Sequence, residues 1–262
     1  MGPQRPHPRA VARGTKRRRV PARAGCYARP VTDSEYWTRY YAVTGERPAW
    51  QTVRRAIELF AAEGPAGPLS AVDLGCGAGR DTRELLRAGW RVLAIDREVA
   101  AIAALEAATE PQLRAALEAR VADLADVDVP ACQLVNASLS LPFLPSDAFW
   151  GTWQRILAAL PVGGRFAAML FGDRDGSAPD PSMTCLPPAE VRARLSSFEI
   201  EYWVDLEEDT TTALGEPHHF HRVEFVARRS AAALPVARMP SAAGSRQAPA
   251  WATRRPHWKD HT

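Results

Sequence analysis

One stretch constrains this chain more than any other: Ser70-Ala-Val-Asp-Leu-Gly-Cys-Gly-Ala-Gly-Arg-Asp-Thr82. An apolar run meets glycines at alternate positions, Gly75, Gly77 and Gly79. The helix-favouring Arg83-Glu-Leu-Leu-Arg-Ala88 follows, and Gly89 ends it. The pattern predicts a strand, a tight turn and a helix N-terminus. Glycine tolerates positive φ and lets a ligand approach the backbone closely. A helix start offers unpaired N–H groups and partial positive charge to an anionic group.

The rest of the chain supports an α/β domain around this turn. Trp50, Val53, Ile57 and Phe60 recur at helical spacing, which predicts a helix from about 49 to 62 with one buried face. Strand signals follow at 71–74, at 91–95 closed by Asp96, at 120–122 closed by Asp123, and at 133–137. The run 165–171 is continuously apolar, as in a buried parallel strand. Helical runs separate these strands: 80–88, 99–109 with a short continuation to Leu117, and 146–160 with Ser146 as its cap. A polar loop at 172–187 leads to a helix at 189–195. The segments 198–206 and 220–228 alternate in polarity and would pair antiparallel. Alternating β and α units predict a doubly wound, seven-stranded, mostly parallel sheet with an antiparallel last strand.

Charge divides the 262 residues into three parts. Residues 1–30 carry nine Lys/Arg and no acid, 31–229 carry a net charge of −10, and 230–262 carry +4. The first part reads as a basic disordered arm, the second as the folded domain, and the third as a disordered tail. Asp33 would cap a short helix, which carries Tyr36, Trp37, Tyr40 and Tyr41. An acidic domain disfavours a nucleic-acid substrate, because phosphate binding rests on Lys/Arg contacts. No apolar run suggests a secretory signal or a membrane span. Cys26, Cys76, Cys132 and Cys185 show neither zinc nor disulfide spacing. A cytoplasmic setting and no metal follow as expectations, and Cys76 reads as a small packing residue in the turn.

Open α/β sheets bind ligands beyond the carboxyl ends of their strands. Asp73, Asp96, Asp123 and Asn136 fall at or near four such ends. A carboxylate 21 residues after Gly75, as Asp96 is, can accept both hydroxyls of a ribose. The dinucleotide fingerprint is G-x-G-x-x-G. Here Arg80 fills its last position, which argues against a dinucleotide.

Val72-Asp-Leu-Gly-Cys-Gly-Ala-Gly79, with Asp96 and Asp123 downstream, resembles a class I S-adenosylmethionine-dependent methyltransferase with a Rossmann-like fold. Gly75-Cys-Gly-Ala-Gly-Arg-Asp-Thr82 and the 165–175 segment are more narrowly similar to bacterial small-molecule methyltransferases of the tellurite-resistance type. The resemblance implies S-adenosyl-L-methionine as cofactor and in-line methyl transfer to a small-molecule acceptor. It implies that Asp73 and the Gly75, Cys76, Gly77, Gly79 and Asp81 segment hold the methionine portion. Asp96 would hold the ribose, and Arg97 would flank the adenine. Asp123 and the Leu124 backbone would read the adenine amino group, and Asn136 would sit beside the methionine end.

The resemblance makes 31–229 a methyltransferase domain whose aromatic N-terminal helix would act as a lid; the acceptor side is less defined. Asp173 in Gly172-Asp-Arg-Asp175, and His219 and His221 in His218-His-Phe-His221, are candidate catalytic groups; a solvated turn and an edge strand are the other readings. Asn136 lacks the adjacent prolines of amino-group methyltransferases, which favours a small-molecule acceptor. An RNA or protein methyltransferase that uses the basic arm, and a non-catalytic cofactor-binding protein, remain as alternatives.

Overall fold

The computed structural model describes residues 34–64 and 67–231. The basic arm, the Asp33 cap and nearly all of the basic tail therefore lie outside the described residues. Two helices precede the sheet, α1 (Ser34–Thr44) and α2 (Gln51–Glu63). The alternation then runs β1 (Ser70–Leu74), α3 (Arg80–Arg87), β2 (Arg91–Asp96), α4 (Val99–Ala108), β3 (Leu117–Val121) and β4 (Leu134–Ser138). It continues through α5 (Ser146–Ala159), β5 (Arg165–Phe171), α6 (Pro188–Arg194), β6 (Phe198–Thr211) and β7 (Pro217–Arg229).

The seven strands lie in the order β3-β2-β1-β4-β5-β7-β6. All pairings from β3 to β5 are parallel, and β7 runs antiparallel to both β5 and β6. The expected fold class is therefore the observed one. The strand order reverses between β1, whose connection leads to β2, and β4 on its other side. That reversal opens a crevice at the strands' carboxyl ends, where such sheets bind ligands.

The period-two alternation of a strand sends neighbouring side chains to opposite faces. Val72, Val135, Phe166 and Phe225 pack with Phe149, Trp153 and Ile156 of α5 and Val191 of α6. Ala71, Leu134, Ala167 and Val226 pack on the other face with Val53, Ala56 and Phe60 of α2, Leu85 and Leu86 of α3, and Leu105 of α4. Two apolar layers thus sandwich the sheet, and β5 is buried at every position. Arg165 at its start is 1% exposed. Its guanidinium donates to Glu63 of α2 and Glu201 of β6 at 2.6–3.1 Å, so its own buried charge is paired.

Three boundaries differ from the sequence expectations. β3 begins at Leu117, where the sequence pattern predicts a helix end; Val92 pairs with Leu117, and residues 111–116 form a 3-10 turn instead. Leu117 and Ala119 face the core at strand spacing, so burial overrides the helical propensity of the run. Pro145, not Ser146, occupies the N-cap of α5, with no side-chain cap bond. The β6–β7 hairpin is longer than expected, reaching Thr211 and starting again at Pro217. Its extension is held by cross-strand polar pairs such as Arg222–Glu208 and His219–Glu207, which carry no apolar alternation to read.

Candidate functional site

The glycine turn takes the conformation that its residues demand. Gly75, Gly77 and Gly79 have φ of 71°, 53° and 82°. All three approach neighbours that leave no room for a side chain. A Cβ on Gly75 would lie 2.3 Å from Ser140 Cβ, one on Gly77 2.7 Å from Tyr41 Cε1, and one on Gly79 2.2 Å from Leu105 Cδ1. Gly75 and Cys76 donate their N–H groups to the Ile95 carbonyl, which ties the turn to the end of β2.

Four acidic and amide side chains converge beneath this turn. Asp73, Asp81, Asp96 and Asn136 are all buried. The Asn136 side-chain amide donates to Asp73 Oδ1 at 2.8 Å and to Asp81 Oδ2 at 3.1 Å. Thr82 Oγ1 donates to Asp73 Oδ2 at 2.6 Å, and the Trp50 N–H donates to Asp81 Oδ1 at 2.9 Å. Burial, followed by the nearby Asp81 charge, raises the Asp73 carboxyl to about 7. Asp73, Asp81, Gly75, Cys76 and Gly77 line a small cavity together with Tyr40, Trp50 and Arg80. Asn136 does not line it; its amide is committed to the two carboxylates. Cys76 is buried, and burial pushes its thiol well above the usual range, consistent with packing rather than nucleophilic use.

Asp96 closes β2 and accepts from the Gly77 N–H at 2.8 Å and the Glu98 N–H at 2.9 Å. Burial raises its carboxyl above the ordinary range, opposed by those two amides. The Tyr41 hydroxyl reaches Asp96 Oδ2 at 3.4 Å, so α1 lies over the turn. Tyr36, Trp37, Tyr40 and Tyr41 of this helix contact one another, and Trp37 meets Phe143 edge to face at 4.9 Å.

A second, larger cavity of about 110 Å³ opens beside the turn. The β2 and β3 ends contribute Asp96, Arg97, Asp123 and Leu124 to its lining. Arg97 pairs with Glu98 at 3.3 Å, while its Nη2 is buried without a hydrogen-bond partner. Asp123 is exposed and caps the local turn by accepting the Ala125 N–H at 2.8 Å. The β4 and β5 ends contribute Ser138, Leu139, Ser140, Phe143, Leu144 and Phe171. Leu139 is the single described non-glycine residue with positive φ, 55°. A leucine in that region is strained, and such residues cluster at functional sites.

Of the residues expected on the cofactor side, Gly79 and Asn136 line neither cavity, and the others line one or both. Asp173, His219 and His221 do not line either cavity. His221 is fully buried; its Nδ1 accepts the Arg174 N–H at 3.0 Å and its Nε2 lies 3.0 Å from Asp205. His219 lies between Asp209 and Glu207, whose carboxylates raise its imidazole pKa, Asp209 contributing most. Asp173 is half-exposed, 3.5 Å from His221 Nδ1. With the buried His218–Asp175 pair at 2.9 Å, these residues fasten the 172–187 loop to the β6–β7 hairpin. Sequence reasoning does not single out Thr82, Ser138, Leu139 or Ser140. Thr82 stands in the glycine-turn motif, but a strained leucine between two serines has no local signature. Among the described residues no cluster of His, Cys, Asp and Glu has a metal-binding arrangement, and no helix is long and apolar enough to cross a membrane.

Residues 71–164 match the sequence profile of a family described as "Methyltransferase domain". No curated protein sequence matches the chain. Among solved structures the chain is similar to TehB from Haemophilus influenzae, with a TM-score of 0.59 and 17% identity over 75% of this chain and 67% of that one. It is also similar to magnesium protoporphyrin IX methyltransferase from Synechocystis with bound S-adenosylhomocysteine, with a TM-score of 0.53 and 18% identity over 75% of this chain and 94% of that one. A third is the Burkholderia thailandensis 1,6-didemethyltoxoflavin-N1-methyltransferase, with a TM-score of 0.50 and 19% identity over 81% and 93%. Residues 71–164 thus match a methyltransferase-domain profile, and the chain has the fold of these S-adenosylmethionine-dependent methyltransferase structures.

Proposed function

We propose that this protein transfers the methyl group of S-adenosylmethionine to a small-molecule acceptor. The observation that carries the reading is the polarity of the crevice across β1. On the β2 and β3 side lie charged groups suited to a nucleoside: Asp96, Arg97 and Asp123. On the β4 and β5 side, and on α1, the lining is aromatic, aliphatic or hydroxyl-bearing. Two of the similar structures carry names that specify small-molecule acceptors, a magnesium porphyrin and a toxoflavin precursor, which favours the same class here.

The residues fit the cofactor. Gly75, Cys76 and Gly77 of the turn line the smaller cavity, Gly75 also borders the larger one, and the unpartnered Arg97 Nη2 lies on the nucleoside side. In this reading Asp73 takes the ammonium of the methionine portion, and Thr82 and Asn136 hold Asp73 in place. Asp96 accepts from the ribose hydroxyls, and Arg97, Asp123 and Leu124 border the adenine. When bound, the cofactor supplies an electrophilic methyl group on a sulfonium. The chain's own task is alignment of donor and acceptor, which can be worth about 7–11 kcal/mol for well-oriented partners. The α1 aromatics also present π faces that favour a sulfonium by about 0.5–2 kcal/mol.

The buried Asp73 gives this assignment a pH signature. Burial, with the Asp81 charge beside it, pushes its carboxyl up to about 7, and pairing with an ammonium requires the ionised form. Cofactor affinity is therefore expected to rise with pH up to about 7 and then level off, losing about tenfold per unit below that point. Calorimetric titration of S-adenosylhomocysteine between pH 5.5 and 8.5 reads this directly. A flat affinity would remove Asp73 from the ammonium site.

The function itself is tested by incubating the protein with S-adenosylmethionine and a metabolite extract. The expected result is S-adenosylhomocysteine together with a new methylated compound. Tight cofactor binding with no turnover on any fraction would instead identify a binding protein.

A further inference from the structure

The acceptor half of the crevice has one polar group with nothing to bind. Ser140 Oγ is buried and has no hydrogen-bond partner, although Ser140 lines the larger cavity. A buried hydroxyl left unsatisfied is unfavourable by about 1–3 kcal/mol. Its position is enforced from two directions. Ser140 Cβ packs against Gly75, at the point where the glycine turn begins. The preceding Leu139 is held at φ 55° while its N–H donates to the Met169 carbonyl on β5 at 3.1 Å. Strain in Leu139 thus keeps the Ser140 hydroxyl beside the turn that would seat the methyl donor.

The surroundings of Ser140 define what can meet it. Trp37, Phe143 and Phe171 form a connected edge-to-face series, at 4.9 Å and 5.9 Å. Aromatic walls favour flat rings through stacked and edge contacts. The titratable or charged groups lining this cavity are Tyr40 and Tyr41 on α1, Asp96 and Arg97 at the end of β2, and Asp123 after β3. All three charged groups lie on the far side of β1 from Ser140. Burial raises both phenols above their ordinary value, so they stay protonated at neutral pH. A charged acceptor placed among these walls would lose hydration without gaining a partner.

Building on the methyltransferase reading, we infer that Ser140 orients the acceptor, and that this acceptor is a flat, uncharged nitrogen heterocycle with a polar substituent that meets the Ser140 hydroxyl. The ring nitrogen carries its lone pair at neutral pH and needs no protein base. That pair forms the N–CH₃ bond as the C–S bond breaks, with the C–S pair remaining on the sulfur of S-adenosylhomocysteine. The positive charge of the sulfonium passes to the methylated ring, which keeps it or, where the nitrogen bore a hydrogen, loses that proton to water. Ser140 is a positioning group and takes no proton.

The test is calorimetric binding to the full chain saturated with S-adenosylhomocysteine, with quinolin-4-ol, quinoline, benzoate and benzylamine as probes. Both quinolines are expected to bind more tightly than benzoate or benzylamine. The Ser140→Ala substitution keeps the Cβ that packs on Gly75 and removes only the hydroxyl. It is expected to weaken quinolin-4-ol about tenfold, the loss of one hydrogen bond, and to leave quinoline unchanged. Failure of both quinolines to bind, tighter binding of a charged probe, or equal weakening of both quinolines in the variant would overturn the inference. If S-adenosylhomocysteine itself did not bind the wild-type chain, the methyltransferase reading would fail first and this inference with it.

Discussion

Asp96→Ala is expected to raise the dissociation constant for S-adenosylhomocysteine by about 30- to 150-fold, roughly 2–3 kcal/mol. A ribose offers two hydroxyl donors, and hydrogen bonds to a charged acceptor contribute more than neutral ones. Asp96 ends β2 beside the glycine turn and lines the larger cavity, where a ribose would meet it. The substitution also removes the acceptor for the Gly77 and Glu98 amides, so part of the loss would come from a loosened turn. Asp96→Asn separates the two contributions. It keeps one carbonyl oxygen for an amide and removes the charge, so it should hold the turn better and lose less affinity. Thermal unfolding of both variants beside the titrations gives the stability component. Unchanged affinity in Asp96→Ala would show that the ribose is held elsewhere.

Gly75→Ala is expected to destabilise the protein by roughly 2–5 kcal/mol and to abolish cofactor binding. Two effects add. The backbone sits at φ 71°, where an L side chain loses about 1–2 kcal/mol. The new methyl would also lie 2.3 Å from Ser140 Cβ, and forcing atoms into a packed site adds about 1–3 kcal/mol. Gly64→Ala is the internal control. Gly64 caps α2 at φ 63°, and a methyl group there would meet nothing within 4 Å, so it carries the backbone effect alone. Urea unfolding should therefore place Gly75→Ala clearly below Gly64→Ala. Equal midpoints would mean that Ser140 moves aside freely, and the close packing of that loop on the turn would carry no energy.

Much of this architecture is legible in the chain because burial and periodicity coincide. β5 is buried at every position and reads as a continuous apolar run; α2 hides Val53, Ala56 and Phe60 on one face. The glycine turn is legible because only glycine occupies positive φ without strain beside close neighbours. The elements that depart from expectation lack such local signals. Leu117 has helical neighbours in sequence and becomes a strand residue only through pairing with Val92. The hairpin beyond Leu206 is held by ion pairs across strands, which leave no apolar stripe.

The site divides in the same way. Asp73, Asp96 and Asp123 are legible because they stand where strands end, and strand ends can be located from apolar runs. The Asn136 bridge between Asp73 and Asp81 joins residues 63 and 55 positions apart, so no spacing rule points to it. His221 illustrates the opposite case. Its residue type suggests chemistry, yet the fold buries it beneath Arg174 and Asp205, away from both cavities. Ser140 has an unremarkable sequence context, and its unpartnered hydroxyl becomes visible only when the loop is folded onto Gly75.

In the proposed reading Gly75–Gly79, Asp73 and Asp96 together form the seat of S-adenosylmethionine. Isothermal titration of the full chain with S-adenosylhomocysteine and, separately, with NAD tests it most directly. One-to-one binding of S-adenosylhomocysteine with no heat from NAD is the result predicted here. Binding of NAD with no heat from S-adenosylhomocysteine would contradict it.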